Sequence, residues 1–131
     1  MTTWLAVGVG GALGSAARHA VNRLVHRTWP NMTFSLGTMV VNVSGCVVIG
    51  LLAGLVMVGL WPGRFQMREF VFVGLLGGFT TFSTFGLDTI TLWRTSGAPW
   101  ALVNVAGQTI FGLIGVYAGL KAAEWVTHGN I

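Results

Sequence analysis

Charge is what this sequence has least of. Only three Asp+Glu and seven Lys+Arg occur in 131 residues, so 8% of the chain is charged. Soluble domains carry roughly 25%. Ten charges are too few to coat a soluble domain of this length, which excludes a soluble enzyme and a disordered chain. Cysteine is nearly absent as well. Cys46 stands alone, so no intrachain disulfide scaffold is possible and no cysteine-based metal spacing exists. It falls inside an apolar run and is expected to pack as a small apolar residue. No set of nucleophile and base, and no cluster of metal-ligand side chains, is visible, which argues against an enzyme. His19, His26 and His128 fall in or near segment ends, as expected of interfacial residues. The net charge of +4 and pI near 10.8 do not mark a nucleic-acid binder, because the basic residues stand singly between apolar runs and form no patch.

What is present is hydrocarbon. Hydrophobic residues make up 53% of the chain, and the mean hydropathy is +0.75. A helix needs ~20 mostly apolar residues to cross a bilayer core. Four stretches reach that length: 4–25, 34–60, 70–93 and 100–125. The expected fold is an all-α membrane protein, one domain over 1–131 with four transmembrane helices. Connections are marked by Arg27-Thr28-Trp29-Pro30-Asn31, Trp61-Pro62-Gly63-Arg64 and Thr95-Ser96-Gly97-Ala98-Pro99, whose Pro, Gly, Ser and Asn favour turns and helix ends. Met1-Thr2-Thr3 lacks the basic region of a secretory signal, and the first segment is too long for one, so no cleaved leader is expected.

The six tryptophans, at 4, 29, 61, 93, 100 and 125, all fall at or beside segment ends, where an indole suits the headgroup layer. Loop cations give no orientation. With four spans, Arg64, Arg68 and Lys121 lie on one side, and Arg23, Arg27 and Arg94 on the other. Lys and Arg normally favour the cytoplasmic side. A balance of three against three is either accidental in so sparsely charged a chain or the mark of one that inserts both ways and pairs with its inverted copy.

Glycine is abundant, at 20 residues. Each span holds a Gly-x-x-x-Gly pair: Gly10/Gly14, Gly50/Gly54, Gly74/Gly78 and Gly115/Gly119. Such pairs let helix backbones approach closely. The run from Gly8 to Gly14 resembles a dinucleotide fingerprint, but the spacing is wrong and no strand precedes it. The stretch Gly77-Gly78-Phe79-Thr80-Thr81-Phe82-Ser83-Thr84-Phe85-Gly86 is a poor helix former, and its hydroxyls compete for backbone carbonyls. A break is expected here, since irregular backbone survives at membrane depth where protein shields it or where it lines a polar cavity. Free carbonyls at such a break are a recurring means of holding ions. Phe82 and Phe85 then share one face of the helix that follows. Such a pair is packing, lipid contact, or a source of positive ring edges toward a small anion. Thr38 and Asn42 are polar groups one turn apart on the uncharged second span. Asn42 is either interhelical glue or a pore donor.

Gly10-Gly11-x-x-Gly14 with Arg18, Gly37-Thr38-x-x-Val41-Asn42-x-x-Gly45, and the Gly77–Phe85 motif together resemble the CrcB/Fluc fluoride channels. The resemblance runs through the first three spans in order. It implies a multi-pass protein of the bacterial inner membrane, a dual-topology homodimer of antiparallel subunits with two fluoride pores, and a structural sodium ion at its centre. By that resemblance Phe82 and Phe85 supply ring edges along the pores, Asn42 an amide donor, and Thr38 and Ser83 further polar contacts. Arg18 draws anions into a vestibule, and the backbone carbonyls of Gly77 and Thr80 hold the sodium. Fluoride, sodium, the lipid bilayer and a second copy of the chain are the implied partners. Two features depart from the family pattern: Asp88 stands where a glutamate is usual, and the fourth span offers Asn104, Gln108, Thr109 and Gly112 where the family has a track of hydroxyls. The alternative is a small dual-topology proton-coupled multidrug exporter, which wants a carboxylate deep in the first span, where this chain has none.

Overall fold

A computed structural model describes residues 2–32, 34–61 and 63–128, with Thr127 and His128 described in backbone alone. Pro62, counted above in a turn, and the side chain of His128 therefore lie outside the described residues. Helix α1 spans Thr2–Thr28, and α2 spans Leu36–Met57. The third segment is divided into α3 (Phe65–Arg68), a π-helical stretch (Glu69–Leu76), α4 (Gly77–Phe79) and α5 (Phe82–Ser96). Helix α6 spans Ala98–His128. Among the described residues there is no strand. An all-helical architecture follows from the composition, since a helix satisfies its backbone within one segment when no water is at hand.

Among the described residues, three helical segments are long and apolar enough to cross a bilayer: Leu36–Met57, Phe65–Ser96 and Ala98–Val126. At 27 residues and ~1.5 Å rise, α1 is about 40 Å long, ample for a crossing. It falls short on composition, because Arg18, His19, Arg23, His26 and Arg27 crowd its C-terminal part. The outside of the molecule is apolar, with Leu102, Leu113 and Trp125 exposed, while the buried core is small residues and a few aliphatics such as Val41, Leu76 and Ala123.

Glycine pairs place the helices. Gly10 and Gly14 of α1 pack against Gly74 and Gly78 of the third segment; a Cβ on Gly74 would stand 3.0 Å from Gly10 Cα. Gly50 and Gly54 of α2 pack against α6, where Gly50 faces the Val116 backbone, and Gly115 and Gly119 return the contact toward Val47 and Leu51. The tight packing expected of the four pairs is present, as two matched couples.

The third connection is shorter than the sequence suggested. Thr95 and Ser96 remain in α5, Ala98 and Pro99 open α6, and only Gly97 lies between. Its φ of 94° lets the chain reverse in a single residue, and Pro99 is tolerated because the first turn of a helix leaves its amide free in any case. Trp61 also differs from the other tryptophans. Its ring turns inward against Phe72, edge-on with centroids 5.8 Å apart.

Candidate functional site

The third segment is interrupted where the sequence disfavours a helix. Thr80 (ψ 159°) and Thr81 (φ −152°, ψ 113°) are extended. Thr80 ends the first half, its N–H and its Oγ1 both donating to Leu76 O. Thr81 starts the second as N-cap of α5, its Oγ1 accepting from the Thr84 N–H at 3.2 Å. A threonine at an N-cap satisfies one of the amides that a helix start leaves open. Phe82 and Phe85 then fall on the first turn of α5, with centroids 5.5 Å apart and planes inclined by 48°.

Asn42 of α2 holds the break in place. Its Oδ1 accepts the Thr81 N–H at 2.9 Å, and its Nδ2 donates to Thr81 O at 3.2 Å. One carboxamide thus pairs with both backbone groups of a single extended residue, as a neighbouring strand would. The second Nδ2 hydrogen goes to Gln108 Oε1 at 2.7 Å. From there a line of donors continues: Gln108 Nε2 to Asn104 Oδ1 at 3.0 Å, Asn104 Nδ2 to Thr89 Oγ1 at 2.8 Å, and Thr89 Oγ1 to Phe85 O at 2.7 Å. Asn104 is fully buried, and every amide in the line is satisfied, as a buried polar network must be.

A cavity of about 390 Å³ opens beside the break. Asn42, Gly45 and Cys46 of α2 form one wall, Gly77, Thr80, Thr81, Phe82 and Phe85 another, and Gln108 and Thr109 of α6 a third. Among the described residues, none that lines it is charged. Gly45 matters here because a Cβ would run into the methyl of Thr80.

Five of the eight residues singled out from the sequence therefore meet at one cavity: Asn42, Gly77, Thr80, Phe82 and Phe85. The other three stand apart from it. Ser83 is exposed, its Oγ 3.2 Å from Thr81 Oγ1. Thr38 donates to Asp88 Oδ2 at 2.7 Å and lines a second cavity of about 290 Å³ with Asn22 and His26. Arg18, half-buried on α1, sends Nη1 to Thr80 O at 3.5 Å. Gln108, named above on the polar track of the fourth span, meets Asn42 directly, and Cys46, expected to pack as an apolar residue, also lies on the cavity wall. The spacing of Gln108 and Asn104 at i and i+4 on an apolar helix was the available signal, since buried amides must find partners.

These features define a class, a multi-pass helical membrane protein with an uncharged polar and aromatic cavity at a broken helix. Comparison with known proteins makes it specific. The family model for CrcB-like protein, Camphor Resistance (CrcB), matches residues 5–120. A fluoride-specific ion channel FluC of Paracoccus denitrificans is 48% identical over 93% of this chain and 94% of its own length. FluC 2 of Nitrobacter hamburgensis is 40% identical over 95% and 98%, and FluC of Rhodospirillum rubrum 40% identical over 97% and 98%. The chain belongs to the CrcB family, and its relatives are named as ion channels, not as enzymes.

Proposed function

We propose that this protein is a fluoride-selective channel that releases cytoplasmic fluoride passively across the bacterial inner membrane. The observation that carries the reading is the uncharged cavity at the break, where Phe82 and Phe85 stand beside amide and hydroxyl groups. Fluoride is small and strongly hydrated, so a selective pore must replace its water with other donors. Ring edges are positive without carrying a fixed charge, and hydroxyls such as Thr109 add donors. A fixed cation at a constriction would hold the ion too tightly to let it go. Hydrogen fluoride enters cells as a neutral acid and dissociates in a near-neutral cytoplasm, so an open path suffices for the trapped anion to leave. Both Asn42 amide hydrogens are engaged within the chain, so Asn42 can donate to a passing anion by exchanging one of them.

The working unit in this reading is an antiparallel homodimer with two pores, each subunit crossing four times with α1 as the remaining span. The even split of loop cations supports it. So does Phe82, 84% exposed on the single chain although it faces the cavity. A second copy would cover it.

A structural sodium ion fits the break. The Thr81 N–H, which in a continuous helix would close on Gly77 O, is taken by Asn42, and the extended Thr80 carries its carbonyl out of the helical ladder, toward the Arg18 guanidinium at 3.5 Å that a bound cation would displace. Oxygen donors suit a hard cation. Gly77 and Thr80 carbonyls would hold it, two from each subunit, and it would neutralise their dipoles.

The test is efflux from liposomes loaded with fluoride or chloride, read with ion-selective electrodes. Fluoride should leave rapidly and chloride hardly at all. Equal fluxes would remove the selectivity, and no flux of either ion would remove the channel.

A further inference from the structure

Resting on the cation reading of the break, we propose that Asn42, braced by Gln108, is the positioning residue that keeps the Gly77 carbonyl free for a monovalent cation. In an uninterrupted helix each N–H closes on the carbonyl four residues earlier. For Thr81 that carbonyl is Gly77 O. The Asn42 Oδ1 stands 2.9 Å from the Thr81 N–H and accepts it instead. Its Nδ2, donating to Thr81 O, holds the residue extended from the other side. Gly77 O is thereby left without its helical donor, in a region where an unpaired carbonyl is costly unless something else satisfies it. Asn42 thus acts at one remove from the cation, through the backbone it pins.

The carboxamide could do this in only one of its two flipped orientations, because Nδ2 cannot accept the Thr81 proton. The fixed donor and acceptor of the Thr81 backbone dictate that orientation, and Gln108 braces it. Its Oε1, 2.7 Å from Asn42 Nδ2, accepts and cannot donate, and its own Nε2 is committed to Asn104 Oδ1. A residue on α6 therefore braces the α2 amide in the orientation that the break in the third segment demands. Neither glycine nor threonine at the break encodes this; it is a property of three helices together.

Thermal unfolding of the purified full-length protein, followed as sodium chloride replaces N-methylglucamine chloride at constant ionic strength, reads the cation site without any fluoride flux. The wild-type melting temperature should rise with sodium and saturate. Asn42→Leu should raise the sodium midpoint at least tenfold. Gly54→Ala, which crowds Ala123 far from the break, should lower the melting temperature and leave the midpoint unchanged, separating loss of stability from loss of the site. A wild-type midpoint in Asn42→Leu overturns the proposal. Should that variant not assemble, Gln108→Leu carries the test, with an expected shift of threefold or more, and an unshifted midpoint there overturns it equally. A wild-type protein with no sodium response removes the cation site and this proposal with it, whereas fluoride efflux stands or falls on the liposome assay.

Discussion

Thr38 Oγ1 donates to Asp88 Oδ2 across 2.7 Å, tying α2 to α5 one helical turn before Asn42. Asp88 is the acid set deepest in the third segment, and this bond gives it a local structural task that needs no exchange of protons with a substrate. Asp88→Asn can still accept from Thr38 through its amide oxygen. Fluoride efflux by this variant is expected to stay within about threefold of wild type, as for loss of little more than the charged character of one hydrogen bond. Abolished transport in the flux assay would favour a proton-coupled carrier.

The tilted pair Phe82 and Phe85 should be separable from assembly. Replacing either ring by isoleucine keeps the apolar bulk and removes the positive edge. Efflux should slow at least tenfold in Phe82→Ile and in Phe85→Ile, while gel filtration gives the wild-type elution. Unchanged rates in both would take the rings out of conduction.

Glycine positions divide by what surrounds them. A side chain at Gly50 meets the Val116 backbone, which cannot swing aside, whereas one at Gly8 meets nothing within 4 Å. Gly50→Val should cost about 1–3 kcal/mol by overpacking. Gly8→Ala should be neutral or stabilising by up to about 1 kcal/mol, from the backbone freedom glycine loses in a helix. Melting curves in detergent compare the two directly, and equal effects would contradict the packing.

Asn104 links Gln108 to Thr89 in the buried line of amides. Asn104→Leu leaves the Gln108 amide without its acceptor, at an expected cost of about 1–3 kcal/mol. The same melting experiment tests this, and an unchanged midpoint would mean that the line re-forms around the substitution.

Much of this arrangement was legible along the chain. The scarcity of charge gave the membrane, the apolar runs gave the helices, and Gly77–Gly86 gave the position of the break, because each is a local property of composition or propensity. The glycine pairs were legible as contact points but not as couples, since pairing Gly10/Gly14 with Gly74/Gly78 depends on which helices are neighbours. The π-helical turns of Glu69–Leu76 were not legible at all. Nothing in Glu-Phe-Val-Phe-Val-Gly-Leu-Leu disfavours an ordinary α-helix strongly enough to mark them.

By itself, then, the sequence determined that the protein lies in a bilayer, is helical and breaks its third segment. Lipid offers no water to an open backbone, so apolar length and local helix propensity are decisive there. The tertiary structure decided which groups complete the break. Asn42 was open to reading as glue or as a pore donor, and only the approach of Thr81 on one side and Gln108 on the other fixed the direction of its amide. A hydrogen bond between residues 39 or 66 positions apart has no local signature, and it exists only once three helices have packed.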